Sequence, residues 1–209
     1  MSKLAVIDYG AGNIGSVLNI LQHIGVAAEV VTEPSQVKKA GKIILPGVGS
    51  WDAGVQRLND SGLIAALEDR VLNDKVPILG ICLGMQLLLN TSEEGTQGGL
   101  GWIEGTARAF DFSHQNSKAK RLAVPHMGWN SVFVSQDSIL TESLDENSKF
   151  YFVHSFHADV VDNKNIMLQS HYGYTFVSGI RKENIYGVQF HPEKSHRHGM
   201  NILKSFMSI

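Results

Sequence analysis

VPILGICLGMQLLLN, residues 76 to 90, reads as strand, sharp turn and helix. VPILGI is a short apolar run of the kind that forms a strand buried on both faces. LGMQLLLN is apolar enough to be a buried helix. Between them stands Cys82, with Gly80 two residues before it and Gly84 two residues after. G-x-C-x-G in this setting is the sulfur counterpart of a nucleophile elbow, whose tight turn pushes the reactive atom out at the carboxyl end of a sheet. Small neighbours let backbone and substrate approach closely. A helix starting at Leu83 directs its positive end at the sulfur and favours thiolate. The Leu83 N–H is then placed to hold an oxyanion. A lone buried cysteine also serves as a small hydrophobe, but that role needs no flanking glycines.

The same strand–helix alternation extends toward the amino terminus. KLAVID (3–8), AAEVV (27–31) and KIIL (42–45) read as strands. NIGSVLNILQHIG (13–25) reads as a helix, with Ile14, Val17, Leu18, Leu21 and Ile24 at helical spacing and Gly25 as its stop. DSGLIAALEDRVLND (60–74) predicts an amphipathic helix capped by Asp60 or Ser61. Toward the carboxyl terminus the segments WIEGTARAF, NSVFVS, KFYFVHSF, IMLQSHYG, YTFVSGI and NIYGVQF are strand-like, FDFSHQNSKAKR (110–121) is a polar exposed loop, and MNILKSFM (200–207) is helical. The pattern predicts an α/β fold, a three-layer doubly wound and mostly parallel sheet with added antiparallel strands. Residues 1–209 are expected to form a single domain, since no linker composition marks a division near residue 95.

With 209 residues, 43% of them hydrophobic, the chain buries a full core. A net charge of −2 argues against a nucleic-acid surface or a polybasic anchor. One cysteine excludes an intramolecular disulfide and fits a reducing compartment. MSKLAVIDYG is too short an apolar start for a signal peptide, and no run approaches the ~18 apolar residues of a membrane span. A cytoplasmic protein is expected.

Further motifs compete for the function. GAGNIG (10–15) follows a strand and opens a helix, as a dinucleotide fingerprint does, with Glu29 and Glu33 near the distance of a ribose-binding acid. Alternatively Gly10 and Gly12 allow a tight turn and Asn13 caps the helix. QFHPEK (189–194) places His191 and Glu193 around Pro192. In an extended segment residues two apart project to one side, so Glu193 can orient His191 as base toward Cys82 and acid toward a leaving amine. PGVG (46–49) directly follows the strand KIIL, and its free N–H groups suit a second oxyanion donor, best the Val48 N–H. His196 and His198 read as solvated residues opening the last helix, because zinc takes three or four ligands and no thiolate is near. His23 and His114 read as surface residues.

PGVG, GICLGMQLL and GVQFHPEKS, in this order, resemble the oxyanion strand, nucleophile elbow and His–Glu pair of the class I glutamine amidotransferases. DYGAGN, PHMGWN (125–130) and YFVHS (151–155) narrow the resemblance to the glutaminase subunits of imidazole glycerol phosphate synthases, from residue 4 to the last helix. The resemblance implies a flavodoxin-like core and a triad of Cys82, His191 and Glu193. Cys82 would form a thioester with the side-chain amide carbon of glutamine. Gly47, Val48, Gly49, Leu83, Gln86 and the backbone around Ser155 and Phe156 would hold the glutamine and the oxyanion. Ammonia would pass to a (β/α)₈ cyclase subunit, the partner in a heterodimer, docked near Asn13, Met127, Trp129, Tyr151 and Lys194. No metal or organic cofactor is implied. After HPEKS the chain reads HRHGMNILKSF, which resembles paralogues in surface-sugar clusters that feed ammonia to an ATP-dependent amidotransferase.

Overall fold

The computed structural model describes residues 3–113 and 122–209. The expected doubly wound core is present. Strands β1 (Lys3–Ile7), β2 (Ala28–Val31), β3 (Ala40–Gly47) and β4 (Ile78–Cys82) pair in parallel in the order β2-β1-β3-β4. The further strands, mostly antiparallel, are β5 (Thr91–Ser92), β6 (Gly105–Ala109), β7 (His126–Ser131), β8 (Phe133–Val134), β9 (Lys149–His154), β10 (Phe156–Val160), β11 (Ile166–Tyr172), β12 (Tyr174–Lys182) and β13 (Ile185–Val188). Of these, β13 joins the parallel core beside β4, and β5 runs parallel to β6. The main sheet runs β2-β1-β3-β4-β13-β12-β10-β6-β5, with β11 and β8 on a side branch. Strands β7 and β9 form a separate antiparallel ribbon.

Side chains alternate across the core strands, as a sheet covered on both faces requires. Ala5 and Ile7 of β1 face one apolar cluster; Leu4 and Val6 face the other. The first cluster packs under helices α3 (Trp51–Asp60) and α4 (Ile64–Glu68), the second under α1 (Ile14–His23) and α6 (His196–Ser208). A short α2 (Pro34–Val37) and α5 (Leu83–Gln86) complete the set. Asn13 caps α1, its side chain accepting from the Ser16 N–H, and Gly25 lies past the helix end at φ +76°.

Several elements differ from the sequence reading. The helix expected over 60–74 is two pieces. Asp60 ends α3, and Gly62 at φ +68° breaks the chain before α4, which continues as a π-helical turn over Asp69–Asn73. The Ser61 hydroxyl donates back to the Leu58 carbonyl, so it closes α3, and Leu63 stands at the start of α4. LGMQLLLN is helical only over Leu83–Gln86. Beyond it the backbone of Leu87, Leu88 and Leu89 accepts hydrogen bonds from Leu100, Ile103 and Gly101, and that pairing takes the chain off the helical path. The last helix starts at His196, earlier than Met200. Most of the expected polar loop, residues 114–121 with His114, lies outside the described residues.

Candidate active site

The loops after β1, β3, β4 and β13 converge at the carboxyl edge of the sheet, where open α/β folds bind their ligands. Cys82 ends β4 at φ 53° and ψ −111°, a conformation that costs a non-glycine residue about 1–3 kcal/mol. The glycines around it explain how the turn is held. A Cβ on Gly84 would lie 1.9 Å from the Leu45 carbonyl oxygen, and one on Gly80 would lie 2.7 Å from that of Gly84. One on Gly47 would lie 2.5 Å from the Gly84 nitrogen. The small residues therefore admit neighbouring backbone, and the cysteine is pinned by it. The thiol is buried at the floor of a cavity of about 710 Å³. Sγ lies 4.0 Å from the Val153 carbonyl, and the Gln189 side-chain amide donates to it at 3.7 Å.

His191 faces the same cavity. Its N–H donates to the Tyr151 carbonyl and its carbonyl accepts from the Ser195 hydroxyl, whose oxygen in turn accepts from the Tyr151 N–H. Its Nδ1 is 2.7 Å from Glu193 Oε1, with both side chains buried. The two residues do converge, but on a 3₁₀ turn, Pro192–Lys194, rather than on an extended run. Proline at its first position, with φ preset, favours that turn. Nε2 of His191 is buried and makes no hydrogen bond among the described residues. Burial alone would lower the ring's pKa. The nearby Cys82, and the hydrogen bond and charge of Glu193, outweigh burial and raise it to about 9. The ring is a cation at neutral pH, and the one polar group acting on it besides Glu193 is the thiol.

The PGVG loop departs from expectation. The Val48 N–H donates to the Ala11 carbonyl at 3.2 Å and is not free for an oxyanion. The Val48 side chain is 41% exposed, and Gly49 sits at φ +105° with open space where a Cβ would be. Gly47 lies behind the cavity wall, packed against Leu83, Gly84 and the Tyr9 hydroxyl. The Leu83 N–H is the first amide of α5, a position a helix leaves unpaired. With one turn in α5, the helix dipole is weaker at Cys82 than the sequence suggests, and His191 is the stronger electrostatic partner.

Val48, Gly49, Leu83, Gln86, Ser155 and Phe156 all line the cavity. The Gln86 side-chain amide donates to the Phe156 carbonyl at 3.0 Å and to Gln189 Oε1 at 3.1 Å. Four residues in or beside the cavity have no role assigned from the sequence. Glu94 lines the cavity while its carboxylate accepts the Trp51 N–H. Gln189 is fully buried, and a polar residue just after the apolar strand of His191 was its only sequence signal. His154 forms part of the wall beside Ser155. Tyr9 stands behind Gly47, its hydroxyl buried without a hydrogen-bond partner among the described residues. Burial, and then Cys82, raise its pKa, with Arg57 opposing.

At the rim, Asn13 and Lys194 border the cavity, and Lys194 Nζ lies 5.8 Å above the Tyr151 ring. Tyr151 meets Trp129 edge-on, and His196 stacks on Trp129 with ring centroids 5.3 Å apart. Met127 is 62% exposed and Trp129 48% exposed. Met127, Trp129 and Tyr151 lie on the β7–β9 ribbon, Lys194 on the turn after His191, His196 at the start of α6 and Asn13 at the start of α1. His23 is exposed. Among the described residues no group of three or more His, Cys, Asp or Glu is arranged to hold a metal, and no helix is long and apolar enough to cross a membrane.

GAGNIG lacks the packing of a dinucleotide site. The third glycine of that fingerprint brings helix and strand close together. Gly15 is exposed, with nothing within 4 Å of a would-be Cβ. Gly12 instead accommodates Pro46 of the PGVG loop, at 3.2 Å. Glu29 pairs with Lys3, and Glu33 caps α2.

The chain matches the model of the family described as glutamine amidotransferase class-I over residues 5–209. It is 48% identical over 204 residues to imidazole glycerol phosphate synthase subunit HisH 2 of Methanococcus maripaludis, covering 98% of each chain. It is 42% identical over 206 residues to the protein of the same name from Pseudomonas aeruginosa, covering 99% of each. Among solved structures, PurLQS from Thermotoga maritima superposes with a TM-score of 0.72 at 20% identity, over 100% of this chain and 99% of that one, a likeness of fold.

Proposed function

The chain belongs to the class I glutamine amidotransferases, and on that premise we propose that residues 1–209 act as one cytoplasmic glutaminase domain, the ammonia-supplying subunit of an imidazole glycerol phosphate synthase. The observation that carries the reading is a strained, buried cysteine at the carboxyl end of β4, beside a histidine that Cys82 and a buried glutamate together hold protonated. Cys82 Sγ, its proton transferred to His191, adds to the side-chain amide carbon of glutamine. The oxyanion forms against the Leu83 N–H. His191 delivers a proton to the departing nitrogen, ammonia leaves, and a thioester remains. His191 then takes a proton from the water that cleaves the thioester, releasing glutamate and restoring the thiol. Glu193 fixes the ring through Nδ1 during both transfers.

The second oxyanion donor, the Val48 N–H, turns into the cavity only when the loop leaves Ala11. Docking of the (β/α)₈ cyclase on the Met127–Trp129 face supplies the trigger, so ammonia is made only when an acceptor is present. The test is Cys82→Ala in the assembled complex. Glutamine-dependent synthesis should vanish while free ammonia still supports it; retained glutamine-dependent synthesis would overturn the reading.

One observation favours a second acceptor. His196, in the segment that resembles surface-sugar paralogues, stacks on Trp129 within the proposed docking face. Co-purification of an ATP-dependent sugar amidotransferase, with no cyclase, would move the acceptor while leaving the Cys82 chemistry unchanged.

A further inference from the structure

The ribbon that carries the exposed Met127 and Trp129 also carries two buried histidines that the mechanism above does not use. His126 on β7 is paired across the ribbon with His154 on β9. Their hydrogen bonds form a chain whose direction is determined at each link. The Asn130 side-chain nitrogen donates to the His171 carbonyl at 2.9 Å, which identifies it as the NH₂ end of the amide. It also faces His126 Nε2 at 3.3 Å, so that ring nitrogen is the acceptor. His126 Nδ1 therefore carries the proton and donates to His154 Nε2 at 2.9 Å. His154 Nδ1 in turn carries its proton and donates to the Phe156 carbonyl at 2.8 Å. That carbonyl is the one that also accepts from Gln86, whose amide reaches Gln189 and, through it, Cys82 Sγ.

We propose that His126 and His154 are positioning residues. They hold the Phe156 carbonyl and Gln86 in the geometry that receives glutamine, and they tie that geometry to the docking ribbon. The inference rests on the glutaminase reading above. Burial keeps both rings neutral, lowering His126 to about 4 and His154 to about 3, so each has one donor and one acceptor to place. The arrangement is unstable to loss of its first members. Without a donor from His126, His154 Nε2 becomes a buried acceptor with no partner, and only the bond to the Phe156 carbonyl is left to hold the ring. Any turn of the ring that lets Nε2 find another partner takes the His154 N–H off that carbonyl and shifts the anchor of Gln86.

The ring of His126 is also packing material, stacked between Tyr172 at 4.1 Å and Phe152 at 4.9 Å. The two roles separate by substitution. His126→Phe retains the stacked ring and removes the donor. His126→Gln retains an acceptor toward Asn130 and a donor toward His154. Asn130→Ala removes the group that orders the first ring, from a position only partly buried.

In the assembled complex with the cyclase, His126→Phe should raise KM for glutamine about fivefold to tenfold, the loss of about one net hydrogen bond, with kcat within about twofold. Partner affinity and ammonia-dependent synthesis should stay at the wild-type level. His126→Gln should restore KM, and Asn130→Ala should raise it in the same direction by less. Wild-type KM in His126→Phe, or equal impairment of the Phe and Gln variants, would overturn the proposal. If His126→Phe fails to fold, wild-type KM in Asn130→Ala overturns it alone. The glutaminase reading fails separately, through Cys82→Ala.

Discussion

Replacing Glu193 by Gln keeps the shape of the side chain and removes the charge that faces His191 Nδ1 at 2.7 Å. The span between the ordinary histidine value of 6.5 and about 9 corresponds to about 3 kcal/mol in favour of the protonated ring in the folded chain. Because the folded value lies above the unfolded one, that stabilisation is complete below pH 6.5 and disappears as pH rises through 9. Cys82 and Glu193 produce it together against burial, so the Gln variant retains burial and only one partner. The ring should then titrate near or below 6.5, and the variant should lose about 1–3 kcal/mol at pH 6, converging on the wild type at pH 9.5. Urea unfolding of the free chain at intervals from pH 6 to 9.5, with NMR titration of the His191 ring, measures both. A stability difference that is constant across this range would refute the electrostatic account. So would a ring pKa that stays near 9 without Glu193. In the complex, the same variant should lower glutamine-dependent kcat about 10²–10⁴-fold, through loss of ring orientation and of the acid form.

Val48→Pro deletes the N–H now held by Ala11. It should cost the free chain about 1 kcal/mol in urea unfolding and cut glutaminase kcat in the complex about 10²–10³-fold; full activity would show that Leu83 N–H suffices as oxyanion donor. Trp129→Ala should weaken cyclase binding about 30-fold or more by titration calorimetry while free-chain stability stays within about 0.5 kcal/mol, and unchanged affinity would remove Trp129 from the docking face. Tyr9→Phe removes a buried hydroxyl without a partner among the described residues. It should be neutral or stabilising by up to about 1 kcal/mol in urea unfolding, and a clear loss would mean that the hydroxyl is satisfied in solution.

What was legible in the sequence was local. Gly80 and Gly84 announce the elbow because any Cβ at either place collides with backbone a few residues away or on the adjoining strand. Pro192 announces the His191–Glu193 pair because it restricts the very residues that must meet. Short apolar runs and helical spacing locate the parallel strands and α1 for the same reason: they depend on nearest neighbours along the chain. The rest depends on where distant segments lie. LGMQLLLN has the composition of a longer helix, and only its pairing with Leu100–Ile103 ends it after Gln86. The bond between Val48 and Ala11 joins two loops whose proximity arises from the β1–β3 pairing. Glu94 reaches the cavity through the Trp51 N–H, and the His126–His154 link needs the ribbon register, so neither leaves a pattern in the residues around it. The helix Trp51–Asp60 is different. Trp51, Val55 and Leu58 carry the right spacing, but Gly54 and the polar residues between them lower the apolar signal over so short a run.

The same contacts that make the elbow readable determine where control of the enzyme can be exerted. Around Cys82 the backbones of Gly47, Gly80 and Gly84 approach so closely that a single added methyl would collide with them. His191 is held through its own N–H and carbonyl, and through Glu193. The backbone that carries each catalytic side chain is thus held in place. The segment from Val48 to Gly49 is built differently, with an exposed side chain, a glycine in a left-handed conformation and empty space beside it. Rotating the Gly47–Val48 peptide breaks the hydrogen bond from its N–H to Ala11 and changes ψ of Gly47 and φ of Val48, the first of which glycine tolerates. One hydrogen bond is a cost that partner docking easily offsets. Control exerted at the nucleophile would instead require room around Cys82 that the neighbouring glycine backbones already fill.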